Sequence, residues 1–450
     1  MKRDTLLASI GCACASALAA CGGGSGASSS SSPPVGQTIK MQHIVVIVQE
    51  NRSTDNLFHG LPGADIANSG VNSKGETITL QPIDLANTYD LSHTHAAFED
   101  MYDDGKMDGA DKIYVTCTGT AAGCPPNPQF MYVDPAQLVP YFQLAERYTF
   151  GDRMFQSNQG PSFPAHQFII AGTSAPSDSG PYVDYFAAEN PLPASTNSSQ
   201  IGCVLAPNNE TVALIDPTGL ESVSIFPCFD HSTLIDLLDQ AGVSWRYYAP
   251  NPGSIWTAPN AISHLALGAD WSNVIIPQTQ VLTDIANGNL AQVVWVIPGG
   301  AESDHALTNN GTGPAWVASI VNAIGNSSYW NTTAIIITWD DWGGWYDHVA
   351  PSIYNSYEYG FRVPLIVVSP YAKQGYVSHV THDFGSILHY IEDNFGLPSL
   401  GYADARADAL ADCFDFTHTP SPYAPVTAKY DAAYFIERAK TVPPTDPDDD

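Results

Sequence analysis

Four short runs rich in β-branched residues, 43–48, 292–297, 334–338 and 364–368, constrain this chain's fold more than any other feature. Uninterrupted apolar runs of this length mark strands buried on both faces, and such strands usually pair in parallel sheets. Helical patterns with defined ends lie among them. Ser232 precedes Leu234, Ile235, Leu237 and Leu238, with Gly242 closing. Pro314 opens a run bearing Trp316, Ile320, Val321 and Ile324, and Asp383 opens one bearing Ile387, Leu388 and Ile391, closed by Gly396. The alternation predicts an α/β fold, a mostly parallel central sheet with helices on both faces.

With 44 % hydrophobic and only 14 % charged residues, the chain can bury a large core, and we expect a single domain over 39–440. Asp and Glu number 46 against 16 Lys and Arg, a net charge of −30 that argues against a nucleic-acid partner. Residues 1–20 read as a signal peptide: Lys2 and Arg3 are basic, and the apolar stretch 6–20 is too short to span a bilayer. Leu18-Ala19-Ala20-Cys21 resembles the lipobox of bacterial lipoproteins. Cys21 would then carry a lipid that anchors the protein to a membrane, and 21–38 would be a Gly/Ser-rich tether. An ordinary cleaved signal is the alternative; both imply export to the cell envelope, with Gly22 favouring the outer membrane, periplasm or cell surface. The end, 441–450, reads as an acidic disordered tail. Spacing pairs Cys117 with Cys124 and Cys203 with Cys228, leaving Cys413 alone. Oligomeric state is left open by the sequence.

In such a sheet, chemistry belongs at the carboxyl ends of the strands. The first run leads into Glu50-Asn51, the second into Glu302-Ser303-Asp304-His305, and the third into Asp340-Asp341. Carboxylates gathered at one edge repel unless a cation neutralises them, so Glu50, Asn51, Asp340 and Asp341 are candidate ligands of one divalent metal ion. Oxygen ligands suit magnesium, calcium or manganese, with zinc or iron also open. A solvated turn is the alternative for Asp340-Asp341 taken alone. In Gly160-Pro161-Ser162-Phe163-Pro164, Ser162 falls at a turn entering a helix, where amide groups and a nearby cation would favour it as a nucleophile. A simple helix cap is the alternative there, and Pro164 excludes the Gly-x-Ser-x-Gly elbow. His93 or His95, His305 and His348 are candidates for holding phosphate or protonating a leaving group.

Taken in order, several motifs carry a resemblance. They are Glu50-Asn51-Arg52-Ser53 with Asp55, Gly105-Lys106-Met107-Asp108-Gly109, Gly160-Pro161-Ser162, Ser303-Asp304-His305, the block 340–348, and Arg362-Val363-Pro364 with Ser369-Pro370. Together, over about 40–400, they resemble the bacterial phosphoesterase family that groups acid phosphatases with phosphocholine-preferring phospholipases C. The resemblance implies an alkaline-phosphatase-like core and hydrolysis of phosphate esters through a phosphoserine. It implies metal ligation by Glu50, Asn51, Asp340 and Asp341, Ser162 as nucleophile, and His93, His305 and His348 on phosphate or leaving group. Thr54 and Ala306 depart from the family pattern, and the second histidine beside His93 leaves His93 and His95 both open. Ser162 in place of the threonine of many phospholipases, and the short stretch after the similarity ends, predict the phosphatase branch acting on phosphomonoesters. A phospholipase C-type phosphodiesterase acting on phospholipid head groups is the alternative, and a non-catalytic solute-binding lipoprotein is the alternative of another class. The net charge predicts an acidic optimum, because repulsion of a dianionic ester fades as carboxylates protonate.

Overall fold

The computed structural model describes residues 41–117, 124–192, 201–204 and 210–442. The expected signal peptide (1–20), the tether (21–38) with Cys21, and residues 443–450 of the expected tail lie outside the described residues.

Eight strands form the central sheet: β1 (His43–Gln49), β2 (Thr149–Gly151), β3 (Trp245–Tyr248), β4 (Val274–Ile275), β5 (Val293–Val296), β6 (Thr333–Trp339), β7 (Leu365–Val368) and β8 (Tyr376–Ser378). Their order is β4-β3-β5-β1-β6-β7-β2-β8. β1 lies between β5 and β6, parallel to both, and its residues from Ile44 onward are buried, which is why the run shows no alternation. β3 is parallel to β4 and β5, and β2 to β8. All four runs are strands, but the last is not parallel as expected. β7 runs antiparallel to β6 and β2. Thr338 pairs with Leu365, so β7 starts where β6 ends, and no helix in 340–364 carries the chain back across the sheet. A parallel partner needs such a crossover; without one the chain returns in the opposite sense. Residues 340–364 therefore stay at the carboxyl edge of the sheet.

The described helices of seven or more residues are α1 (His95–Tyr102), α2 (Val139–Arg147), α3 (Ser162–Ala171), α4 (Leu234–Ala241), α5 (Gln280–Ala286), α6 (Gly313–Gly325), α7 (Phe384–Phe395) and α8 (Ala432–Ala439). α2, α5, α6 and α8 pack together as one set, and α3, α4 and α7 as another, the two helical layers of an α/β fold. Thr233, rather than Ser232, caps α4, and Gly242 closes it in a left-handed conformation. Asp383 and Ser386 form a reciprocal capping box at the start of α7, and Gly396 closes that helix. All ten residues of α3 are buried, which makes it a core helix with no solvent face. Both cysteine pairs are bonded as their spacing suggests, and Cys413 is a buried free thiol. Among the described residues, no helix is long and apolar enough to cross a membrane.

Candidate active site

The parallel register of β1 and β6 sets Gln49 beside Trp339, so the next residues of both strands meet at one edge. The Asp340 amide donates to Gln49 O at 3.0 Å, and the Arg52 amide donates to Asp341 O at 2.9 Å. Asn51 adopts φ 61°, the left-handed region that asparagine tolerates best among non-glycine residues, and this turn lets its amide donate to Asp340 Oδ1 at 3.0 Å. Glu50, Asn51, Asp340 and Asp341 are all essentially without solvent exposure.

Ser162 opens α3 against this edge. Its hydroxyl donates to Asp341 Oδ2 at 3.2 Å, and the Gly343 amide donates to Asp341 Oδ1 at 2.6 Å. Gly343 and Gly344 have φ 61° and 72°; a Cβ on Gly343 would lie 2.1 Å from Asn51 O, and one on Gly344 2.7 Å from Ser92 O. The pair is what allows the loops bearing Asn51 and His93 to touch the loop bearing Asp341. Gly343→Ala is expected to destabilise the protein by at least ~2 kcal/mol, combining left-handed strain with a backbone collision, and to lower activity more than tenfold. Denaturant midpoints and initial rates check this, and an unchanged midpoint with full activity would refute the close approach.

His93 Nδ1 lies 2.9 Å from Leu91 O, and Nε2 lies 3.0 Å from Asn51 Nδ2. A carbonyl only accepts, so the Nδ1 proton is donated to it and Nε2 accepts from the Asn51 amide, giving a neutral ring of defined tautomer. The Asn51 amide is thereby oriented, and its Oδ1 is buried with no hydrogen-bond partner. His305 lies with its ring centroid 5.9 Å from that of His93, and Nδ1 donates to Ala306 O at 2.7 Å. Asp304 secures this loop by accepting from Tyr141 Oη at 2.8 Å and Trp339 Nε1 at 3.0 Å. Between His93 and His95, the contact with Asn51 belongs to His93, while His95 Nδ1 pairs with Glu221 at 2.8 Å.

His348 is held by a separate set of carboxylates. Its Nδ1 is 2.7 Å from Asp55 and its Nε2 3.1 Å from Asp65, so both ring nitrogens are engaged by carboxylates and the ring stays protonated up to about 9 despite its burial. Arg362 bonds Asp347 at 2.8 Å and Asp55 at 3.2 Å in the same cluster. This network fastens the loop after Asp341 to the short helix Thr54–Leu57 and occupies both ring nitrogens of His348. His166 is the residue that sequence reasoning missed. It lies one turn beyond Ser162 on the same face of α3, with Nε2 3.3 Å from Glu50 Oε1 and 3.8 Å from Asp340 Oδ2. The Ser-x-x-x-His spacing was the available signal.

The residues present fit a divalent cation. Ligand atoms of Glu50, His166 and Asp340 all lie within 4.8 Å of one another. Burial first, and then the adjacent Asp340, push the Asp341 carboxyl up to about 8, and Asp340 Oδ2 accepts no hydrogen bond. Carboxylate oxygens buried in this way are costly until a cation compensates them. Beside the Ser162 turn opens a cleft of about 640 Å³, lined by Asp90, His93, Pro161, Glu189, Asn190 and Glu221 among others, with no Lys or Arg among the described residues of its wall. Burial and the neighbouring Glu221 push the Glu189 carboxyl up to about 7.

The model of the phosphoesterase family matches residues 41–398, which hold every residue of this site. The chain belongs to the phosphoesterase family. This phosphoesterase is 24 % identical over 462 residues to phospholipase C B of Mycobacterium tuberculosis, covering 87 % of this chain and 81 % of that protein. It is 23 % identical over 485 residues to the non-hemolytic phospholipase C of Pseudomonas aeruginosa, covering 91 % and 63 %. A solved protein of the alkaline phosphatase superfamily from Vibrio parahaemolyticus is similar at 10 % identity and TM-score 0.36, covering 83 % of this chain and 72 % of that one. The phosphoesterase is a phosphoric ester hydrolase, and Glu50, His166 and Asp340 form a cluster that could hold a metal ion.

Proposed function

We propose that the phosphoesterase transfers a phosphoryl group to Ser162 Oγ and then hydrolyses the phosphoserine. The observation that carries this is the Ser162 hydroxyl, donated to a buried carboxylate at the first turn of α3 beside the cleft. The Oγ–P bond forms as the ester P–O bond breaks, and the serine proton passes to the Asp341 carboxylate, which a bound cation would keep ionised. The amides and dipole at the start of α3 favour the anionic group beside it. His305 and Glu189, each while protonated, would give a proton to the departing oxygen. Water then attacks the phosphoserine, releasing the phosphate product and restoring the hydroxyl. A divalent ion held by Glu50, Asn51, Asp340 and Asp341, with His166 beside it, would supply Lewis-acid stabilisation of the phosphoryl oxygens.

For the substrate, a phosphodiester of the phospholipase C type is the primary reading. The names of the relatives support it, as does a cleft whose described wall carries Asp90, Glu189 and Glu221 and no Lys or Arg, which repels a dianionic monoester more than a monoanionic diester. Monoester hydrolysis at acidic pH, the specificity expected from Ser162, is the second reading, favoured by the Glu189 carboxyl. Glu189 is neutral below about 7 and adds a negative charge to the cleft above it, so monoester kcat/KM should fall as pH rises through 7. Diester turnover should fall less, and Glu189→Gln should flatten the monoester limb. A profile that is flat for both substrates removes this role from Glu189, and a phosphomonoester preferred over phosphatidylcholine at every pH replaces the first reading by the second.

We also propose export and anchoring through a lipid on Cys21, supported by Lys2, Arg3 and Leu18-Ala19-Ala20-Cys21. Cys21→Ser should release the protein from the membrane fraction; unchanged partition counts against the anchor.

A further inference from the structure

We propose a second, structural metal site, for zinc, at the edge strand β8, with His382, Asp412 and Cys413 as its protein ligands. It is separate from the catalytic edge, since β7 and β2 lie between β6 and β8.

The three ligand atoms lie within 4.8 Å of one another. Asp412 Oδ1 is 3.5 Å from His382 Nε2 and 3.7 Å from Cys413 Sγ. Tetrahedral zinc, with bonds of ~2.0–2.3 Å to nitrogen, oxygen and sulfur, separates its ligand atoms by ~3.3–3.7 Å, so both distances suit a shared ion. Behind the imidazole, Asp408 Oδ1 lies 2.5 Å from His382 Nδ1. A carboxylate in that position places the proton on Nδ1 and directs Nε2 at the ion, the usual support of a zinc-bound histidine. The Ser378 hydroxyl, 3.2 Å from Nε2 and 2.5 Å from Asp412 Oδ2, adds an oxygen at the same point. Imidazole and thiol are both without solvent exposure, and Cys413 is the one described cysteine outside a disulfide.

The ligand-bearing turn is already held to the sheet. Cys413 O accepts from the Lys373 amide at 3.0 Å and from Thr149 Oγ1 at 3.0 Å, and Asp408 Oδ2 accepts from the Leu410 amide at 2.9 Å. A site held in place before the ion arrives loses little conformational freedom on binding. Binding would convert the thiol to thiolate with release of its proton, and would cross-link the 408–414 turn to the strand that edges the sheet.

Cobalt tests the assignment. The chelator-stripped full-length protein, titrated with Co²⁺, should develop a near-ultraviolet thiolate-to-cobalt charge-transfer band that saturates by two equivalents, one for each site, and is erased by excess Zn²⁺. The band should vanish in Cys413→Ser and persist in Asp340→Asn. The catalytic edge offers no thiolate, so a failure there and a failure here give different results. Zinc should also slow alkylation of Cys413 in mild denaturant at least tenfold, measured on the wild-type protein by peptide mapping. No band in the wild type, a band retained in Cys413→Ser, or equal alkylation rates with and without zinc would overturn the site and leave an Asp408-His382-Ser378-Asp412 hydrogen-bond chain.

Discussion

Ser162→Ala is expected to lower kcat/KM on any phosphate ester by ~10⁴-fold or more, the scale seen when a covalent nucleophile is removed, while the protein stays folded and keeps its metal. The substitution deletes one oxygen from a helix buried on every side, so packing around Phe163 and Ala165 is undisturbed. Its local cost is the loss of one hydrogen-bond donor to Asp341 Oδ2, about 1 kcal/mol, which a bound cation offsets. Rates, melting temperature and elemental analysis should be measured on one preparation. Acid quench of the wild type during turnover should trap phosphate on the peptide containing Ser162. A variant within tenfold of wild type, or label trapped on another peptide, means that water attacks directly and that Ser162 only positions Asp341.

Asp340→Asn should show two opposite effects. Activity and metal affinity should fall, activity by ~10³-fold, because one of three buried carboxylates becomes neutral and the charge that attracts a divalent ion is reduced. Stability of the metal-free protein should rise at alkaline pH. Asp341 is pushed up to about 8 by burial and then by Asp340, well above the 3.8 of an ordinary aspartate. A carboxyl with its folded pKa raised favours the fold only while protonated, so its contribution is complete below about 4 and is lost as pH rises through 8. Removing the Asp340 charge relieves part of that loss. Chelated Asp340→Asn should therefore melt above chelated wild type at pH 8.5, and the two should converge near pH 4.5. Equal melting at both pH values with metal content unchanged would show that the buried carboxylates are not electrostatically opposed and do not share an ion.

The effects expected in these two variants depend on residues that differ in how far the sequence reveals them. Glu50, Asn51, Asp340 and Asp341 are visible because each comes directly after an apolar run, and a strand delivers its next residues to a sheet edge. Helix ends at Gly242, Asp383 and Gly396 are equally visible, since capping is settled by residues a few positions apart. Both disulfides agree with short spacing.

Tertiary structure decided the rest. A run such as 364–368 states that it is buried but carries no direction, and β7 became antiparallel only because the chain before it never crossed the sheet. His166 sits in an apolar helix and reads as core until α3 packs against the ends of β1 and β6, where Glu50, 116 positions away, and Asp340 meet its ring. His348 lies beside the right motif, yet Asp55 and Asp65, each more than 280 positions earlier, take both of its nitrogens. His93 and His95 differ by two positions, and Asn51 contacts one while Glu221 takes the other. Burial pattern, caps and strand ends are set by neighbours along the chain and can be read there, whereas the partner of a histidine or the direction of a strand is set by contacts between distant segments, which exist only after the chain has closed on itself.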